Sequence, residues 1–472
     1  MKLQHYLTEQ KEMLKDWNQY VKTNKMLQSA VKILQKINKK RYKAYIVGGA
    51  VRDIVLGIEP KDIDIATNMP MEELQKVWRI HDIGKSKDFG IVVVVEGGSR
   101  YEVAQFRTDG KYTDGRRPDK IGIAGSFEED AARRDFTINA MGLDANGIIY
   151  DYFDGKKDIK NKVLRTVGDP KKRFGEDKLR MMRAARFSAK MEMDIDKETA
   201  KAAKSMASDV TNLPYERIKD ELFKAAKLGG GKFAVYLQIL DNLKILRHIL
   251  PELITLKVMP HAPGDHPEGG VWAHTMKALE VSNTTDPVKN LAILLHDVGK
   301  AVTAELGSGK KAGKMTYYGH AEQGVKLVNT IAKRLKLSGK ERTSILFAIG
   351  NHMKFKDILK MRPGKVAKLV GDENWDVLLS VVRADTLSRG ANFRHADTFE
   401  KTVDKAIKIK DKHGIESVNK RFQLVDGNRV MSVTGLKPGP KIGEIIKKTT
   451  EWILDNDVQS QTEIDEYMKG LV

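Results

Sequence analysis

Read as apolar and polar positions, the chain changes rhythm several times. Over residues 1–40, Leu14, Trp17, Val21, Leu27, Val31 and Leu34 recur mostly at three- and four-residue steps, the spacing of an amphipathic helix. Short β-type runs follow: "AYIVGGA", "DIDIA", "IVVVVE", "RYEVAQFR" and "GIIYDYF". They are interleaved with one helical pattern after Pro70, which predicts an α/β unit ending near Gly155. From about residue 170 the pattern turns helical and stays so. "GEDKLRMMRAARFSAKM" and "PYERIKDELFKAAKL" are predicted helices, and "LGGG" at 228–231 is a break. The predicted organisation is a helical segment over 1–40, a mixed unit over 41–155, helical segments over 156–230 and 231–410, and a tail over 411–472 with a Gly/Pro turn and a helix in "GLKPGPKIGEIIKK".

Composition sharpens this. At 472 residues the chain exceeds one core, and roughly three domains is the prior. Lys+Arg 83 against Asp+Glu 63 gives a net charge of +20, which points to an anionic partner, nucleic acid first. There is no cysteine, which excludes disulfides, thiolate-bound zinc and a thiol nucleophile. The N-terminal "MKLQHYLTEQKEMLKDW" is charged throughout, unlike a signal peptide, and the run Ile91 to Val95 is too short to span a bilayer. A cytoplasmic protein without a membrane role is expected.

Two constellations carry chemistry. In "VGGAVRDIVLGIEPKDIDIA", Gly48 and Gly49 follow a strand and open a helix whose first turn carries Arg52 and Asp53, a seat suited to phosphates. Asp62 and Asp64 stand two residues apart on an apolar run, so on a strand they share one face and repel unless cations lie between them. Such a pair suits Mg²⁺ bridging a nucleoside triphosphate and an attacking hydroxyl. Glu102 is a candidate third carboxylate.

The second constellation is histidine. Seven of the 11 histidines fall between His248 and His352. Imidazole with carboxylate suits a borderline transition metal such as Ni²⁺ or Mn²⁺, which lowers the pKa of a bound water and aims it at phosphorus. The candidate ligands are His274, His296, Asp297, His320, His352 and Asp385, with Lys300 to hold a phosphate.

The ordered motifs "GGAVRD…KDIDIAT", "RTDGKYTDGRRPD", "RRDFTINAM" and "GEDKLRMMRAARF" resemble those of the bacterial-type tRNA nucleotidyltransferases, the CCA-adding enzymes of the polymerase-β-like superfamily. The resemblance implies an α+β fold: a nucleotidyltransferase head over 41–155, then an all-helical neck, body and tail. It implies template-independent addition of C, C and A to tRNA 3′ ends from CTP and ATP. Arg134, Asp135 and Asn139 would then lie in the ribose-contacting motif, and the loop Asp109 to Pro118 would be a mobile switching element. Asp177 and Arg180, taken as i and i+3 on one helix face, would read the incoming base, with Arg183 and Arg186 extending the stripe. The acceptor and TΨC arm of tRNA would be gripped by shape and charge, with "KKR" at 171–173, the "KKAGK" loop and "IIKKT" at 445–449 as candidates.

The order H…HD…H…H…D is similar to the HD superfamily of metal-dependent phosphohydrolases. It implies 2′,3′-cyclic phosphodiesterase, phosphatase or 2′-nucleotidase activity on RNA ends. His261 and His266, in "PHAPGDHPEGG", lie just before the first ligand, and His266 is expected near the metal or substrate. The rival readings are a poly(A) polymerase, an RNA phosphohydrolase with a decayed transferase head, and a non-enzymatic RNA-binding module. Poly(A) polymerases generally carry a long basic extension and lack an intact HD set. Intact Asp62, Asp64 and "EDKLR" argue against decay, and a bare binding module leaves both constellations unexplained.

Overall fold

The computed structural model describes residues 11–79, 90–109, 121–260, 269–308, 314–389, 396–413, 424–456, 458 and 460–472. The glycine-rich part of the switching loop (110–118), His261, His266 and most of "KKAGK" lie outside them. The chain divides into two compact units: Met1–Pro214 with Gln238–Ile249, and Tyr215–Leu237 with Leu250–Val472.

The first unit is built on a seven-stranded sheet. Its strands are β1 (Lys11–Met13), β2 (Ala44–Val47), β3 (Asp64–Thr67), β4 (Ile91–Glu96), β5 (Ser99–Gln105), β6 (Gly142–Leu143) and β7 (Ile148–Tyr150), in the order β1-β7-β6-β2-β3-β5-β4. All neighbours are antiparallel except β3 and β5. Period-2 alternation sends alternate side chains into two cores. Ile46, Ile65, Val92, Val94 and Val103 enter one, while Tyr45, Val47 and Ala66 meet Phe106 and Phe127 in the other.

The segment 1–40 departs from the single helix expected of it. Among its described residues it forms β1, which pairs with β7, then α1 (Trp17–Thr23) and α2 (Lys25–Lys39). The break falls at Asn24, whose side chain accepts the Leu27 N–H at 2.8 Å and caps α2. Leu27, Ile33, Leu34 and Ile37 sit in the same core as Ile46 and Ile65, so this segment completes the head.

After β2 comes α3 (Gly49–Val55). Further on, "GEDKLRMMRAARFSAKM" makes two helices, α4 (Pro170–Glu176) and α5 (Leu179–Met191). Asp177 between them is extended, with φ −143° and ψ 105°. Its Oδ1 accepts the Leu179 N–H at 3.1 Å and its carbonyl accepts the Arg180 N–H. This local aspartate bonding competes with helix continuation.

The second unit is mainly helical. It includes α6 (Val271–Val281), α7 (Pro287–Leu295), α8 (His320–Arg334), α9 (Gly339–Asn351) and α10 (Trp375–Leu387). Leu291 to Leu295 are all buried, so the second half of α7 is apolar all round and enclosed. Asp286 caps α7 ahead of Pro287, and a Ser338/Glu341 capping box starts α9. The tail helices α11 (Pro440–Asp455) and α12 (Gln461–Lys469) share a small core of Ile445, Ile453, Ile464 and Met468. Among the described residues no helix is long and apolar enough to cross a membrane.

Candidate active site and candidate metal centre

Ile63 and Ile65 are buried, while Asp62 and Asp64 face outward. Asp64 opens β3, with Asp62 just ahead of it, and Glu102 of β5 is the in-register partner of Asp64. The structure thus brings the three expected carboxylates together on two neighbouring inner strands, β3 and β5, and the residues just ahead of β3. Desolvation, then the charges of Glu102 and Asp62, push Asp64 up to about 6, against the pull of Arg134. A carboxylate raised this way by its acidic neighbours suits a divalent cation.

Gly48 precedes α3 with φ 70° and ψ −132°, a conformation that favours glycine. A Cβ there would stand 3.3 Å from Arg134 Nη1. Arg134 is held by Asp130, Nη2 to Oδ2 at 3.0 Å, and Asp130 also accepts from Arg133 at 2.7 Å. Buried Asp130 escaped sequence reading, although its spacing three and four residues before two arginines was the available signal.

The remaining expected nucleotide contacts form an internal network. Arg52 is buried and donates to Asp53 Oδ1 (2.6 Å) and Asn139 Oδ1 (2.7 Å). Asn139 Nδ2 donates to Asp135 Oδ1 (3.1 Å), and Arg183 Nε donates to Asp135 Oδ2 (2.9 Å). Burial would raise Asp135, but the Arg183 charge and the Asn139 and Arg183 hydrogen bonds hold it down at about 2.

Two expectations are corrected here. Asp177 and Arg180 do not share a helix face, because the helix breaks at Asp177. Arg180 donates to Glu176 Oε2 (2.7 Å) and to the carbonyls of Arg173 and Arg133. Of "KKR", Lys171 and Lys172 are exposed, but Arg173 is buried, bonded to Glu176 and to the carbonyls of Val167 and Ala132. Lys447 and Lys448 on α11 are exposed.

In the second unit all six expected ligands converge and are buried. His296, at the end of α7, gives its Nδ1–H to the Ile293 carbonyl at 2.8 Å. His320 does the same to Tyr317 (2.8 Å) and His352 to Ile349 (2.7 Å). A carbonyl only accepts, so each Nδ1 carries the hydrogen. Ser388 donates to the Asp385 carbonyl, so its Oγ accepts from His274 Nδ1 at 3.2 Å. In its neutral form each ring therefore turns an Nε2 lone pair inward, the orientation a metal ligand needs. Burial first, and neighbouring histidines after it, lower His352 to about 3; burial also lowers His320. The Nε2 of His296 is buried and faces Asp297 Oδ2.

The donors divide into His274, His296 and Asp385, and Asp297, His320 and His352, each set within 4.8 Å. Asp297 straddles them: Oδ2 lies 3.2 Å from His296 Nε2, and Oδ1 lies 3.5 Å from His320 Nε2. Burial would raise both Asp297 and Asp385. Asp297 is instead held well below the usual range by His296 and Lys300, and Asp385 by His274 and Arg389. Gly299 of "HDVGK" lets α8 approach, since a Cβ there would stand 1.9 Å from the His320 carbonyl oxygen. Each set is a candidate holder of a divalent metal ion; Ser388, which orients His274, had no sequence signal.

Comparison with known proteins places these sites in a family. Residues 44–165 match the poly A polymerase head domain, 192–256 the probable RNA and SrmB-binding site of polymerase A, and 271–390 the HD domain. The CCA-adding enzyme of Streptococcus suis is 30% identical over 450 residues, 94% of this chain and 97% of that protein. The Streptococcus pyogenes CCA-adding enzyme is 32% identical over 91% of this chain and 94% of its own length. The crystal structure of the Bacillus stearothermophilus CCA-adding enzyme in complex with CTP superposes with a TM-score of 0.67 at 25% identity, covering 94% of this chain and 96% of that one. Relatedness over nearly the whole length, through both the acidic head and the histidine centre, means that this chain belongs to the CCA-adding enzymes, nucleotidyltransferases of tRNA processing.

Proposed function

We propose that the first unit adds C, C and A to tRNA 3′ ends from CTP and ATP, and that the histidine centre hydrolyses phosphate esters at RNA ends, both in the cytoplasm. The observation that carries the transferase reading is the register of Asp64 against Glu102 beside the Gly48 turn. Asp62, Asp64 and Glu102 would hold Mg²⁺, which when bound neutralises charge on the attacking and leaving oxygens. The Gly48 turn lets the triphosphate approach the backbone, and Arg134, aimed by Asp130, offsets its charge. Asp177 accepts from the exocyclic amine of cytosine or adenine. Arg180 reads the adjacent acceptor, which requires it to leave Glu176 when the nucleotide arrives. Exposed lysines of each unit taken by itself, Lys171 and Lys172 in the first and Lys447 and Lys448 in the second, are the candidates for contacts to phosphates of the acceptor and TΨC arm.

For the histidine centre, the four fixed tautomers carry the reading. A transition metal such as Ni²⁺ or Mn²⁺, when bound, activates water and polarises a phosphoryl group. Lys300, 2.6 Å from Asp297, would hold a phosphate oxygen of a 2′,3′-cyclic phosphate or a phosphomonoester. The test is reciprocal. Asp64→Ala should abolish nucleotide addition and spare phosphohydrolysis, and Asp297→Ala should do the reverse. Loss of both activities from either substitution would contradict two independent sites.

A further inference from the structure

Phe187 lies in the core of the first unit, 7% exposed, edge-on to Phe136 with ring centroids 5.7 Å apart at 76°. Three guanidinium groups surround its ring. Arg186 lies 4.5 Å from the centroid, Arg183 5.3 Å and Arg52 5.6 Å. Packing alone would be met by leucine or methionine, and it gives no reason to gather three like charges there. The ring face supplies the negative potential that lets them share the space. Asp53 and Asp135 supply the rest, by pairing with Arg52 and Arg183.

The contacts close on themselves. Arg52 bonds Asn139, Asn139 bonds Asp135, Asp135 bonds Arg183, and Arg183 returns to the ring that Arg52 also touches. Arg52 belongs to the helix that follows the Gly48–Gly49 turn, whereas Arg183 and Arg186 belong to α5, which starts beside Asp177. One buried ring therefore joins the element proposed to seat the triphosphate to the element proposed to read the base.

We propose that Phe187 is a positioning residue that couples base selection to the seating of the triphosphate, by fixing Arg52, Arg183 and Arg186 in one frame. This rests on the base-reading role proposed above for the α4–α5 junction. It requires no contact between Phe187 and the nucleotide.

The test measures kcat and KM for CTP and for UTP on tRNA lacking its 3′ end, with thermal unfolding of each variant. Phe187→Leu removes the ring and keeps an apolar group. It should raise KM for CTP and lower the CTP/UTP ratio of kcat/KM on the order of tenfold, the scale of several partly desolvated cation–π contacts. Phe187→Tyr keeps the ring and should stay within about twofold of wild type in that ratio, because the ring face that attracts the guanidiniums is retained. Arg186→Lys, on a half-buried side chain, keeps the charge and loses the flat stacking group. It should lower the ratio in the same direction, and it carries the test if Phe187→Leu does not fold. A ratio left at the wild-type value in Phe187→Leu or, where that protein is unfolded, in Arg186→Lys would reduce Phe187 to packing and overturn the proposal. Asp177→Ala separates the two levels. If it blurs selection while the other variants do not, only the coupling falls; if it leaves selection intact, the base-reading role falls first.

Discussion

The Nε2 atoms of His320 and His352 face each other at 3.2 Å, while both rings give their Nδ1–H to backbone carbonyls. Two inward lone pairs at this distance repel unless a proton or cation lies between them, and burial disfavours the protonated rings. Metal uptake should therefore stabilise the protein. Adding Ni²⁺ or Mn²⁺ at about 100 times its Kd should contribute about 2.7 kcal/mol and raise the unfolding temperature of the second unit. The same addition to Asp297→Asn should leave it nearly unmoved, as read by calorimetry with a chelator control. Equal shifts in both proteins would contradict the ligand set.

Gly299 offers a substitution outside the ligands. Its missing Cβ is what lets His320 come close to Asp297, the added atom otherwise meeting backbone at 1.9 Å. Gly299→Ala should lower metal affinity by at least about tenfold, on the scale seen when the shell around metal ligands is disturbed. CMP incorporation into tRNA should remain near wild type. Unchanged metal affinity by isothermal titration would show that the helix start can shift without cost.

Asp135 sets a pH signature. Its folded pKa of about 2 lies below the ordinary 3.8, so its contribution is complete above the ordinary value and disappears as pH falls through about 2. A shift of this size is worth about 2.5 kcal/mol. Asp135→Asn should lower stability by roughly that amount at pH 7, and the gap should close between pH 4 and 2 in urea unfolding. A gap constant across that range would mean that the pairing with Arg183 contributes little.

Gly48 links backbone geometry to the active site. With φ 70° and Arg134 Nη1 3.3 Å from the position of a Cβ, Gly48→Ala should cost about 1–3 kcal/mol of stability. Nucleotide addition should fall further than phosphohydrolysis. Equal loss of the two activities would assign the effect to folding alone.

Much of both centres was legible in the chain, for different reasons. "DIDIA" declared its outward aspartates because period-2 alternation with Ile63 and Ile65 holds over residues 62–65, into the start of β3. The convergence of the six HD residues was legible in the clustering of histidines between His248 and His352 and in the order H…HD…H…H…D that resembles the HD superfamily. Helix continuity across Asp177 was misread, since a single aspartate side chain closing on Leu179 N–H outweighs the helical periodicity on either side. The segment 1–40 was misread for the same kind of reason at Asn24. Partnerships such as Arg52 with Asn139, 87 residues apart, depend on tertiary contact and leave no local pattern.

The most direct measurement incubates tRNA lacking its 3′ terminus with CTP alone, with ATP alone and with both, and sequences the ends. Two C residues are expected from CTP alone, a completed CCA end from both, and no long tail under any condition, with all addition lost in Asp64→Ala. A poly(A) tail from ATP alone, or addition that survives Asp64→Ala, would contradict this expectation.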